Sequence, residues 1–226
     1  MGTIQTAVEA PVKSSKRALE SHERISEILF GLIMVLTFTG SLSVAEAGRQ
    51  DIRAMLIGAL GCNLVWGLID GVLFLMGSLA EKAKNLKTLR AVRKTAEVRK
   101  AQLLIAGALP PLIASVLRPE ELAAIDQRLK SLAEPPAQAQ LDRADWLGAF
   151  GVFLLVFLCT FPVVLPFIFM QKAVLALRVS NAIAIAMLFL SGMTYGRSAG
   201  RHEWGMGIFM VALGVVLVSL TMALGG

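Results

Sequence analysis

One carboxylate in this chain sits where carboxylates are costly. The stretch Cys62 to Glu81, CNLVWGLIDGVLFLMGSLAE, is apolar enough to cross a bilayer, yet carries Asp70 near its middle. Insertion scales put an acidic residue at a helix centre at ~3 kcal/mol, and such residues usually face a bundle interior or a water-filled path. Asn63 lies seven residues earlier, and seven steps of ~100° return to nearly the same helix face. Gly77 and Glu81 continue the line, with Gly67 and Phe74 beside it. This stripe reads as the wall of a polar pathway. The plainer alternative is a lock, in which Asp70 bonds a neighbouring helix and fixes packing.

The elements that must position these groups follow from composition. The 226 residues are 56% hydrophobic and 17% charged, with a mean hydropathy of +0.69. That is too apolar for an ordinary soluble domain. Five stretches have the length and character of spanning helices: roughly 28–45, 54–80, 146–170, 173–195 and 204–224. The alternation of a membrane barrel is absent. The fold class expected is therefore all-α: a polytopic membrane protein with five transmembrane helices and a helical cytoplasmic segment between spans 2 and 3. The domain reading is a tail at 1–21, a transmembrane hairpin at 22–80, a cytoplasmic segment at 81–145 and spans 3–5 at 146–226. The polar 27 residues before the first apolar run do not resemble a signal peptide. The opening Met1 to Thr6 fits a myristoylation pattern only weakly.

Other chemistry is sparse. Cys62 and Cys159 both fall inside spans and read as packing residues. His22 and His202 stand alone, and no Cys/His cluster has zinc-like spacing. No nucleophile–base pair appears, so an enzyme is not expected. The formal charge of +6 reflects topology rather than nucleic-acid binding.

Along the chain, Ser21 to Glu27 opens a helix. Glu27, Met34 and Ser41 recur at sevens, and Gly48 suits the turn before span 2. Gly67 and Gly71 form a GxxxG pair that permits close helix approach. Leu86, Leu89, Val92 and Ala96 keep helical spacing, so span 2 runs on as a basic helix, with eight Lys/Arg against two Glu in residues 81–100. Attraction to anionic headgroups and a solvated charge face are both open for it. Residues 103–117 are apolar but short and interrupted by Pro110 and Pro111, which suits an interfacial or protein-docked segment. Pro119 opens a further helix with Leu122, Ile125, Leu129 and Leu132 on one face. Asp142 or Asp145 caps span 3, and Pro162 and Pro166 kink it.

Lys and Arg set the expected orientation. Residues 1–27, residues 81–145 and the 196–203 loop hold 18 of them, against Arg49, Arg53, Lys172 and Arg178 elsewhere. That places the N-terminus and the long loop in the cytoplasm and, with five spans, the C-terminus outside.

The layout resembles the vacuolar iron transporter family, over about residues 24–226. Glu27-Ile28-Leu29-Phe30-Gly31 followed by Leu36-Thr37 resembles the family's acidic residue, FG and DGLT run. Asn63 through Gly71 aligns without gaps to a stretch of the form E-x-x-x-G-x-x-S-M. Pro162 and Pro166 resemble a paired-proline motif, with wider spacing. Phe189 to Gly200, FLSGMTYGRSAG, resembles F-x-x-G-x-x-x-G-R-x-x-G.

The resemblance implies a homodimer in the lipid bilayer that exchanges iron or manganese for protons, with spans 1 and 2 at the dimer axis. It implies no bound cofactor beyond the transported divalent metal ion. Departures stand beside it. The family's span 1 aspartate falls on Met34, its span 2 glutamate on Asn63, and its Ser-Met pair on Asp70-Gly71. The pathway would then offer Asp70, Asn63, Met34, Glu27 and Glu81, with hard oxygen ligands suited to manganese. Residues 81–145 are net basic and lack Met, unlike the family's metal-binding segment. The expected function is a divalent metal–proton exchanger. The alternative is a membrane scaffold or regulatory relative that kept the fold and lost transport.

Overall fold

The computed structural model describes residues 21–41 and 49–223. Among them every regular element is a helix: α1 (Ser21–Ser41), α2 (Arg49–Lys94), α3 (Val98–Ala108), α4 (Pro111–Val116), α5 (Pro119–Ser131), α6 (Arg143–Leu158), α7 (Phe161–Phe169), α8 (Ala173–Ser198) and α9 (Glu203–Ala223). Four stretches are long and apolar enough to cross a membrane: Asp51–Lys94, Arg143–Phe169, Ala173–Ser198 and Glu203–Leu220. Large apolar side chains such as Ile57, Leu68, Met76, Ile208 and Val216 stay exposed on them. Helices apolar all round suit a lipid environment, where outward side chains need no water. The apolar part of α1, Ile25–Thr37, is shorter. The rest of the expected first span, the Gly48 turn and the 1–20 tail lie outside the described residues.

The chain divides into two compact units, with boundaries inside α2 and α6: Met1–Ile69 with Phe150–Gly226, and Asp70–Ala149. In α2 the division precedes the change from apolar to basic composition after Ala80.

In unit 1 the core joins Leu32 and Val35 of α1, Ala59 of α2, Val163 and Val164 of α7, and Ala184 and Leu188 of α8. A second cluster joins Met55, Phe167 and Ala176. Helices α8 and α9 approach closely because Gly192 faces the Met206 carbonyl and Gly207 faces the Phe189 ring, leaving no room for a Cβ. Small residues at a crossing are how helices gain van der Waals contact in lipid.

The break in span 3 falls at Cys159 and Thr160, ahead of the prolines expected to kink it. Pro162 sits in the first turn of α7, where a missing N–H costs little. Pro166 lies inside α7. The Thr160 carbonyl accepts from the N–H groups of Val163 and Val164, both at 3.1 Å, and starts the new helix.

Unit 2 has its own small core: Val92 of α2 with Ala101 and Ile105 of α3, joined by Leu122, Ile125 and Leu129 of α5. Two expectations need correction here. The helix of α2 does not continue through Ala96. It ends at Lys94, where Thr95 returns its N–H to the Val92 carbonyl and its hydroxyl to the Ala91 carbonyl. The chain then turns so that α3 covers Val92. Leu132 does not join the face of Leu122, Ile125 and Leu129; α5 stops at Ser131 and Leu132 is exposed. The apolar 103–117 stretch is split by Pro110 into α3 and α4, as a proline disfavours helix in the residue before it. Ile105 is docked, while Leu103, Leu112 and Val116 are exposed.

Candidate functional site

The most demanding polar group in unit 1 is Asn63. It is 0% exposed, in a helix whose neighbouring residues are apolar. Its Nδ2 donates to the Gly31 carbonyl of α1 at 3.2 Å. A carbonyl only accepts, so this partner fixes the amide orientation and turns Oδ1 the other way. Oδ1 is buried and has no hydrogen-bond partner among the described residues. An acceptor left so costs about 1–3 kcal/mol. The site asks for a donor or a cation.

The surroundings are built by helix crossing. A Cβ on Gly31 would collide with the Cys159 Sγ and meet the Val156 carbonyl at 3.0 Å, so glycine alone lets α1 and α6 come this close. Cys159 donates its S–H to the Val156 carbonyl at 3.0 Å. The Thr160 hydroxyl donates to the Phe157 carbonyl. Phe30 and Trp66 meet edge to face, with centroids 5.2 Å apart, and brace α1 on α2. Glu27 stands one turn before Gly31 on α1, and Met34 three residues after it; both are half-buried. The structure shows one neutral oxygen beside Gly31, with Glu27 and Met34 placed within a turn of Gly31 along α1.

The seven-residue stripe does not stay on one buried face. Asn63 is buried, Asp70 is half-buried, and Gly77 and Glu81 are exposed. The buried line on α2 runs in steps of four instead: Met55, Ala59, Asn63, Gly67 and Gly71. Gly67 lies against Phe153, whose carbonyl would be 3.0 Å from an added Cβ. Gly71 meets the Ala149 carbonyl at 3.1 Å in the same sense. Both glycines therefore face α6 of the same chain. Asn63 belongs to unit 1, and Asp70 and Glu81 to unit 2. Among the described residues no three His, Cys, Asp or Glu side chains lie close enough to hold a metal ion.

Unit 2 carries a second polar arrangement. Asp142 caps α6, its Oδ1 accepting from Ala144 N at 2.8 Å and Asp145 N at 3.1 Å. Asp145 reaches back to the Asp142 N–H at 2.7 Å, completing a reciprocal cap. Both carboxylates take the Lys82 ammonium, Asp142 at 2.9 Å. The Lys82 hydrogen bond, with the backbone N–H donors behind it, holds the Asp142 carboxyl down at about 2. Sequence reasoning saw the cap but missed Lys82, and it missed Gly31 as the partner of Asn63. The one signal for Gly31 was its place in the Phe30-Gly31 pair that resembles the family's FG.

No family model matches this chain, and no curated protein matches it.

Proposed function

We propose that this chain is an integral membrane transporter of the vacuolar iron transporter type, exchanging a divalent metal ion for protons as a homodimer. The observation that carries the reading is the buried Asn63 Oδ1, an oxygen acceptor without a partner among the described residues of an apolar bundle. Four helices fit to cross a membrane support the setting. Asn63 and Asp70 act as separate stations along α2. At Asp70 a cation and a proton compete for one carboxylate, so arrival of the ion releases the proton. Glu27 serves the cation beside Asn63. A fifth span built on α1 completes this reading, and the distribution of basic residues supports a cytoplasmic N-terminus and 81–145 segment with the C-terminus outside.

A second reading is a membrane scaffold without transport. It is favoured by neutral Met34 and Asn63, which stand where the resembled family carries carboxylates. Uptake of Mn²⁺ into liposomes, with a trapped pH dye, separates the two. Transport predicts metal-driven proton release by the wild-type protein and at least a tenfold loss in a well-folded Asp70→Asn protein. Equal uptake by both removes Asp70 from the mechanism, and no flux in the wild type leaves the scaffold.

A further inference from the structure

In unit 2 the non-helical segment after α5 lies along the basic part of α2 as a strap. Arg93 Nη1 donates to the Ala133 carbonyl at 3.0 Å. Arg90 Nη2 donates to the carbonyls of Pro136 and Ala137 at 2.5 and 2.6 Å. Lys82 holds the far end through Asp142 and Asp145. Beside the strap a groove of about 610 Å³ opens along α2. Its floor is apolar, formed by Leu79, Ala83 and Leu86. Its rim is cationic, formed by Lys87, Arg90 and Lys94, and no acidic side chain lines it. Residues spaced by three and four stand on one helix stripe, so the three charges face the same ligand.

The contrast with Lys82 is what gives the groove a direction. Lys82 is neutralised by two carboxylates, whereas Lys87 and Lys94 make no ion pair among the described residues. The floor begins at Leu79, at the end of the apolar run, and the cations follow it, with Lys94 ~22 Å along the helix from Leu79. An apolar end joined to a cationic end matches a molecule built the same way.

We propose that this groove binds one anionic phospholipid with a phosphate monoester headgroup, its acyl chain on the Leu79–Ala83–Leu86 floor and its phosphate against Lys87, Arg90 and Lys94. A phosphate monoester carries about −1.5 to −2 charges near neutral pH, which three cations balance. Lysine stems lie along apolar surface while their ammonium groups reach outward. Clusters of basic residues just outside a membrane span are where anionic lipids gather. A free phosphate would use the rim and leave the floor bare.

The test is calorimetric titration of the purified full chain in neutral detergent with dioctanoyl phosphatidic acid. Wild type binds, and Lys87→Gln/Lys94→Gln binds at least tenfold more weakly. Arg90 is left in place because it also holds the strap. Arg99→Gln/Lys100→Gln, the same charge loss at exposed sites on α3, stays within twofold of wild type. Ala83→Trp fills the floor and blocks binding with no change in charge. Dioctanoyl phosphatidylcholine binds at least tenfold more weakly, and equimolar inorganic phosphate does not displace the lipid. Equal loss in the two double variants would reduce the effect to bulk surface charge. Displacement by inorganic phosphate would remove the lipid as the ligand. No binding by the wild type overturns the proposal outright, and if Ala83→Trp does not fold, the two double variants decide.

Discussion

Asn63 and Lys82 sit on one helix and meet opposite fates. Asn63 is neutral, fully buried and bonded through one of its two polar atoms. Lys82 is charged, partly exposed and bonded to two carboxylates that also cap α6. The difference teaches where structure uses up polarity and where it leaves some over. In the basic part of α2, Lys82, Arg90 and Arg93 are consumed in tying down the strap, and only Lys87 and Lys94 are left beside it. In unit 1 an oxygen is kept in a dry place without a partner among the described residues, and that is expensive unless something arrives to use it.

The largest effect expected on this comparison is at Gly31, which makes the Asn63 site possible. Gly31→Val drives a side chain into Cys159 and the Val156 carbonyl. Overpacking of this kind costs about 1–3 kcal/mol. The melting temperature of the detergent-solubilised protein falls, and Cys159→Ala in the same chain recovers part of the loss. A Gly31→Val protein as stable as wild type would mean that the α1–α6 approach is not tight, and the Asn63 site with it.

A smaller effect is expected at the other end of the comparison. Asp142 is depressed to about 2, chiefly by Lys82. A depressed carboxyl stabilises the folded state above its unfolded value, near 4, and loses that contribution as pH falls through about 2. The melting-temperature difference between wild type and Asp142→Asn is therefore present at pH 6 and gone below pH 2. Because the pair is exposed, the difference stays smaller than that of Gly31→Val. A difference that persists unchanged at pH 2 would assign it to the cap geometry alone and not to the ion pair.

How much of this was legible beforehand depends on the kind of signal. Long apolar runs announce helices by composition, so α2, α6–α7, α8 and α9 were readable directly. The basic extension of α2 was readable from Leu86, Leu89 and Val92, because helical spacing survives the change of solvent. Its end at Lys94 was not, since it follows from α3 folding back over Val92, a tertiary cause. The split of span 3 at Thr160 was displaced from the prolines because a proline suits the first turn of a helix better than its break. Asn63 was singled out by its spacing of seven from Asp70, whereas its burial follows the four-residue line of Met55, Ala59, Gly67 and Gly71. Its partner is a backbone carbonyl, and every residue has one, so no residue type marks it. The strap was invisible for the same reason: Arg90 and Arg93 bond to carbonyls of residues 133–137, not to side chains of opposite charge.

The central claim is that the open oxygen of Asn63 exists to hold a cation. Asn63→Leu keeps the size and removes both polar atoms, including the one that is unsatisfied. The Gly31 carbonyl that loses this donor lies inside the α1 helix, where the backbone ladder still serves it, so removing the unsatisfied Oδ1 is close to neutral for stability. The measurement is the melting temperature of the purified full chain with and without Mn²⁺, in wild type and in Asn63→Leu. The account predicts a metal-dependent rise in wild type, and a metal-free variant at least as stable as wild type that shows no rise. An equal rise in both proteins, or a metal-free variant that is strongly destabilised, would contradict it and leave Asn63 as a packing lock between α1 and α2.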